Sequence, residues 1–162
     1  MQRNKFKNER SATRILSFTA IITLIFILTS CNKKQMISYD FKYNKWAKDD
    51  TINFQFTVND TIKNHQLLFF FRNNLDYNYR NLFLIIDLDY NYKKIQSDTV
   101  EYEIADKYGR WLGRGLGNIK DNYLIFSENT IFQKKGIYNI NVRHGMRQDS
   151  LIGVNKLGFQ IK

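Results

Sequence analysis

Apolar and polar residues alternate along much of this chain beyond residue 50, with the period of two expected of strands that have one buried and one wet face. Between Thr51 and Asn59, Ile52, Phe54, Phe56 and Val58 alternate with Asn53, Gln55 and Thr57. The pattern returns in Val100, Tyr102 and Ile104 against Thr99, Glu101 and Glu103, and in Tyr138, Ile140 and Val142 against Asn139 and Asn141. Leu157, Phe159 and Ile161 repeat it near the end. Gln66 to Phe71 and Leu82 to Leu88 are apolar on both sides and too short for helices, so they read as strands buried on both faces. Tyr123 to Phe126 is a further strand, and asparagine-rich Arg72 to Asn81 reads as a polar connection. After residue 30 no stretch of useful length has the three-and-four spacing of an amphipathic helix. The prediction is an all-β fold, an antiparallel β-sandwich of jelly-roll or immunoglobulin-like form, with a closed antiparallel barrel as the alternative.

The first thirty residues have another pattern. Lys5, Lys7, Arg10 and Arg14 precede an apolar run from Ile15 to Leu28, and Leu28, Thr29 and Ser30 lead into Cys31, the one cysteine in 162 residues. A basic region, an apolar segment and small residues before a cysteine form a lipoprotein signal peptide. The run is shorter than the roughly 20 apolar residues of a membrane-spanning helix and is interrupted by Ser17, Thr19 and Thr23. We therefore expect residues 1–30 to be a signal peptide, residues 31–45 a lipidated N-terminus and tether, and residues 46–162 the sandwich domain. Lipid at Cys31 would be the membrane contact.

Removing residues 1–30 lowers the formal charge from +10 to +6. Lysine and arginine are scattered among acids and the chain is exported, so nucleic acid is not an expected partner. The lipid takes the only cysteine, which leaves no disulfide, and a chain of this length can bury a sufficient core without one.

Candidate chemistry is sparse. Half of the eight glycines fall between Asp106 and Asn118, beside Arg110, Trp111 and Arg114. No P-loop lysine or helical pattern follows, so the run reads as a tight connection and not a phosphate cradle. Either Trp111 with Leu112 is a contact surface, an interface anchor flanked by arginines, or Trp111 is a core plug beneath the loop, and Trp46 carries the same ambiguity. Asp87 and Asp89 read as solvated strand ends, and His65 and His144 as exposed or hydrogen-bonded histidines. Arg147 belongs to a basic cluster with Arg143 and His144 that could meet an anionic group. No catalytic residues, metal ligands or small-molecule cofactor are expected, and an enzyme fits poorly.

Several separated segments together resemble one family: Asp76-Tyr77-Asn78-Tyr79-Arg80-Asn81-Leu82-Phe83, Asp98-Thr99 with Ala105-Asp106, Gly109-Arg110-Trp111-Leu112-Gly113-Arg114-Gly115-Leu116-Gly117, and Met146-Arg147 with Leu151-Ile152-Gly153-Val154 and Gly158. In this order, after a lipoprotein signal, they resemble the GldH gliding motility lipoproteins of Bacteroidetes. Asn118 departs from the aspartate expected there. The resemblance implies a lipid-anchored structural or assembly component of the gliding machinery, linked to type IX secretion, with other envelope proteins of that machinery as partners and no catalytic residues. Arg110, Trp111, Arg114 and Arg147 are the candidate partner contacts. Neither an aspartate nor an acidic run follows Cys31, so we expect an outer-membrane anchor with the domain facing the periplasm. A periplasmic glycan-binding sandwich is the alternative function.

Overall fold

The computed structural model describes residues 36–162. The expected signal peptide, residues 1–30, and Cys31 lie outside the described residues. Ten strands follow in order: β1 (Ile37–Asp40), β2 (Lys45–Ala47), β3 (Ile52–Val58), β4 (His65–Asn73), β5 (Asn81–Tyr90), β6 (Lys93–Glu103), β7 (Lys120–Thr130), β8 (Gly136–His144), β9 (Ser150–Ile152) and β10 (Val154–Ile161). Two four-stranded sheets, ordered β1-β10-β4-β7 and β3-β8-β5-β6, are antiparallel throughout, and β2 pairs with β9 as a short ribbon.

Leaving that ribbon aside, each connection between consecutive long strands crosses from one sheet to the other, except the β5–β6 hairpin. That is jelly-roll connectivity. An immunoglobulin-like fold would instead keep several hairpins within a sheet. The predicted sandwich is observed, and the topology selects the first of its two forms.

The alternation seen in the sequence becomes the inner layer. Ile52, Phe54, Phe56 and Val58 of β3 are buried, as are Leu82, Leu84, Ile86 and Leu88 of β5, and Leu67, Phe69 and Phe71 of β4 face them from the other sheet. Phe159 of β10 joins the layers, with ring centroids 5.3 Å from Phe56 and 5.5 Å from Phe69. At the open side, the Tyr102 hydroxyl donates to the Ile125 carbonyl at 3.2 Å, from β6 to β7, and burial pushes its pKa up to about 12.

The short strands were not legible. β1 falls within residues expected to form the tether, and its four residues are all exposed. It adds an edge to β10 through backbone pairing, which needs no apolar period. The first residues of β6 are likewise exposed at an edge, so only its second half carried an alternating signal.

Strand direction gives the sandwich two ends, about 30 Å apart for a ten-residue strand. One holds the start of β1 and the connections 59–64, 91–92 and 131–135. The other holds connections 74–80, 104–119 and 145–149 and the β2–β9 ribbon.

Candidate functional site

Most of the segments that carried the family resemblance are distant in sequence yet meet at the second end, while Asp98-Thr99 and Gly158 lie mid-strand on β6 and β10. Arg80 accepts through its backbone carbonyl from the N–H groups of Ile104 (2.6 Å) and Ala105 (2.9 Å), and Leu112 N–H donates to Ile104 O at 2.9 Å. Gly145 N–H donates to Phe83 O at 2.8 Å, and the Phe83 N–H approaches Met146 Sδ at 3.5 Å. Asn74 N–H donates to Gly153 O at 2.9 Å. Gly153 has a φ of +82°, and any Cβ there would collide with the Tyr77 backbone nitrogen. A side chain at 153 would thus separate two of these segments.

Beneath them lies a buried plug. Trp46 on β2 is completely buried, donates from Nε1 to Asp50 O at 3.0 Å, and packs against Phe41 and edge-on against His144. The ambiguity over Trp46 is settled in favour of core. Tyr77, also buried, donates its hydroxyl to Asn81 O at 2.8 Å, and burial raises its pKa.

The glycine-rich loop is built from its first residue. Asp106 accepts from the backbone N–H groups of Tyr108 and Arg110, both at 2.9 Å, and from Arg110 Nε at 2.6 Å. These bonds, led by the Arg110 N–H, hold the Asp106 carboxyl below its ordinary pKa. Arg110 is therefore a loop clamp first, with its guanidinium 5.4 Å from the Tyr108 ring centre. Trp111 is half-buried against the core and bridges Ala105, so it plugs the loop from above. Gly113 lies against the buried Asn122, whose Oδ1 would come within 2.6 Å of a Cβ. Asn122 in turn donates to Phe71 O (3.2 Å) and Asn73 Oδ1 (3.0 Å). A strand, β7, follows the loop. The phosphate-cradle reading needs a helix there and finds none.

Arg114 and Arg147 differ from Arg110. Arg114 is exposed, and its backbone pairs with Asp121, whose carboxylate is taken by a bidentate bond to Arg72 at 2.6 and 2.8 Å. Among the described residues neither Arg114 nor Arg147 has an ion-pair partner. Each lines a surface cleft. One, of about 350 Å³, includes Glu103, Leu112, Arg114 and Tyr123. The other, of about 510 Å³, includes Tyr79, Asn81, Phe83 and Arg147. Asn81 and Glu103 are register partners, so the clefts adjoin on β5 and β6. Leu112, read from the sequence as a contact candidate beside Trp111, is 53% exposed, and Leu116, which sequence reasoning missed, is 95% exposed. An aliphatic residue between Gly115 and Gly117 was the available sign of an open tip.

Two expectations are corrected. Asp87 is no solvated strand end: it is buried on β5, accepts from Lys94 Nζ at 2.7 Å and Ser97 Oγ at 2.5 Å, and Asp89 accepts from Asn141 at 2.7 Å. His144 is neither exposed nor hydrogen-bonded. It is 1% exposed with no partner meeting hydrogen-bond geometry at either ring nitrogen, and burial lowers its pKa while a nearby Trp46 backbone group opposes this in part. Its aromatic contact with Trp46 explains its place in the core. Among the described residues no three His, Cys, Asp or Glu side chains gather as metal ligands.

Comparison with known proteins agrees with this arrangement. The family model described as GldH lipoprotein matches residues 35–161. The "Gliding motility lipoprotein GldH homolog" of Christiangramia forsetii is 34% identical over 160 residues, covering 94% of this chain and 97% of its own. The "Gliding motility lipoprotein GldH" of Flavobacterium johnsoniae is 29% identical over 157 residues, covering 92% and 98%. Among solved structures, dimeric latent PorU from Porphyromonas gingivalis aligns with 78% of this chain and 12% of its own at 8% identity and a TM-score of 0.35, too slight a likeness to bear on function. The motifs, the order in which they occur and the matches across nearly the whole chain lead to one conclusion: the chain belongs to the GldH family of gliding motility lipoproteins.

Proposed function

We propose that this lipoprotein is held by acyl chains on Cys31 at the outer membrane, facing the periplasm, and acts as a structural or assembly component of the gliding machinery and its linked type IX secretion apparatus. The observation that supports this reading best is the gathering of most family segments at one end, where Arg114 stands unpaired in the loop that exposes Leu112 and Leu116 and Arg147 stands unpaired in the adjoining cleft. Unpaired arginines next to apolar tips are the composition of a protein-docking surface, since a planar guanidinium meets a partner carboxylate through two parallel bonds. More than one acyl chain gives stable anchoring, each buried CH₂ contributing about 0.8 kcal/mol.

The test is photo-crosslinking in cells from position 112, followed by identification of the adducts. Other gliding or secretion components should be recovered, and the adducts should vanish in an Arg114→Glu/Arg147→Glu variant that still folds. Adducts unchanged by the double variant would sink the docking role. Cys31→Ser should leave the membrane fraction; its normal fractionation would sink the anchor.

A further inference from the structure

The opposite end has a different chemistry, and the anchored segment enters the fold there. Its connections expose Ile62 (88%), Tyr92 (79%) and Ile131 (50%). Around them stand Lys63, Lys134 and Lys135 in connections 59–64 and 131–135, where Asp60 is the one acid, and Lys93, Lys94 and Lys162 on the adjoining strand ends, which also carry Asp89 and Glu128; all six lysines are exposed. Lys94 alone among these is in an ion pair, with Asp87. The connections are close in space: the Tyr90 hydroxyl donates to Lys135 O at 3.2 Å, and Lys134 Nζ lies 5.5 Å from the Tyr90 ring centre.

Tyr92 is notable at a hairpin tip. With Asn91 it forms a two-residue turn in which both residues have positive φ, 48° and 62°. Glycine is the favoured residue there, and an aromatic side chain strains the turn. The sequence places a large amphipathic ring at the tip against local backbone preference.

The chain enters at this end. β1 begins at Ile37, and four residues separate Cys31 from Met36, a reach of at most about 18 Å over the five steps. Two of them, Lys33 and Lys34, add to the same charge. If Cys31 carries the lipid, as proposed above, this end is confined to the headgroup region. Isoleucine and tyrosine tips ringed by lysine are the chemistry that an anionic phospholipid surface takes: apolar side chains at the acyl boundary and ammonium groups on phosphates.

We infer that the domain stands end-on on an anionic phospholipid surface, through Ile62, Tyr92, Ile131 and the surrounding lysines, so that the docking end projects about 30 Å from the membrane. The anchor thereby orients the domain as well as retaining it.

The test uses full-length acylated protein reconstituted into vesicles of phosphatidylethanolamine and phosphatidylglycerol containing brominated phospholipid. Tryptophan is introduced at Ile62 or Tyr92, and at Leu116 as the far-end control, with the signal of Trp46 and Trp111 subtracted using the parent protein. Ile62→Trp and Tyr92→Trp should be blue-shifted and quenched, whereas Leu116→Trp should not. Replacing Lys63, Lys134 and Lys135 with Glu should bring the quenching at 62 and 92 down to the control level. Equal quenching at all three positions, or quenching at Leu116 alone, overturns the orientation while leaving the anchor intact. Failure of the protein to float with the vesicles overturns the anchor and the orientation with it.

Discussion

The two ends of this sandwich are closed by connections of similar size and differ in what they do with charge. At the docking end acids and bases mingle: Asp76 with Arg80, Asp106 with Arg110, and Asp149 close to Arg147 in sequence, and the bases are mainly arginine. At the tether end the bases are all lysine and outnumber the acids, which are Asp60 in the connections and Asp87, Asp89 and Glu128 on the strand ends. Arginine's planar fork suits shaped protein carboxylates, while lysine's mobile point charge suits a fluid phosphate surface. The contrast teaches that a small positive net charge can hide two specialised surfaces. The +6 of residues 31–162 is not spread evenly, and its sum alone says little.

The backbones differ too. The docking end is braced by buried groups such as Trp46, Tyr77, Asn73 and Asn122, and the tether end by the aromatic cluster of Phe56, Phe132 and Tyr138 and by short turns. Removing the brace should break the docking end most severely. Trp46→Ala empties a completely buried site and should cost about 3–5 kcal/mol, seen as a lowered urea midpoint. An unchanged midpoint would mean that the ribbon is not integral to the core.

A smaller loss is expected from Asn122→Ala, which leaves Asn73 and the Phe71 carbonyl without their partner beneath the glycine-rich loop. It should cost about 1–3 kcal/mol and speed amide exchange through residues 106–118 more than through 131–135. Equal acceleration at both ends would erase the distinction in bracing.

His144 predicts a pH effect centred on the docking end. Its folded pKa lies below the ordinary 6.5, so its contribution is complete above that value. As pH falls through 6.5 the unfolded chain binds the proton first, and stability is lost until the lowered folded pKa is passed. Thermal melts should show a fall on acidification in that window that is smaller in His144→Phe. An identical fall in the variant would assign the effect to other groups.

The smallest effect separates turn from membrane contact. Tyr92→Gly should stabilise the domain by about 1 kcal/mol in detergent, because glycine accepts the positive φ without strain. It should also weaken the contact of the tether end with anionic vesicles. A gain in stability with no loss of contact would make Tyr92 a tolerated oddity.

Much of this fold could be read from the sequence because a strand with one face on the core carries a strict period, as Ile52 to Val58 does even at a sheet edge. Strands held mainly by backbone pairing escaped. β1 and the first half of β6 are held by backbone pairing and have no buried side to show. The docking end was half legible. Its motifs pointed to Arg110, Trp111, Arg114 and Arg147, but that Arg110 is clamped by Asp106 while Arg114 is unpaired depends on the local turn. His144 and Asp87 misled for the same reason. A buried polar group is recognised by its neighbours, and those come from strands far apart in sequence.

Ends that face different media should crosslink to different molecules, so a photo-crosslinking residue is placed at Ile62 or at Leu112 of the full-length protein in living cells and the adducts are compared. Phospholipid adducts are expected from position 62 and protein adducts from position 112. Protein adducts from 62 with lipid adducts from 112 would contradict the end-on orientation.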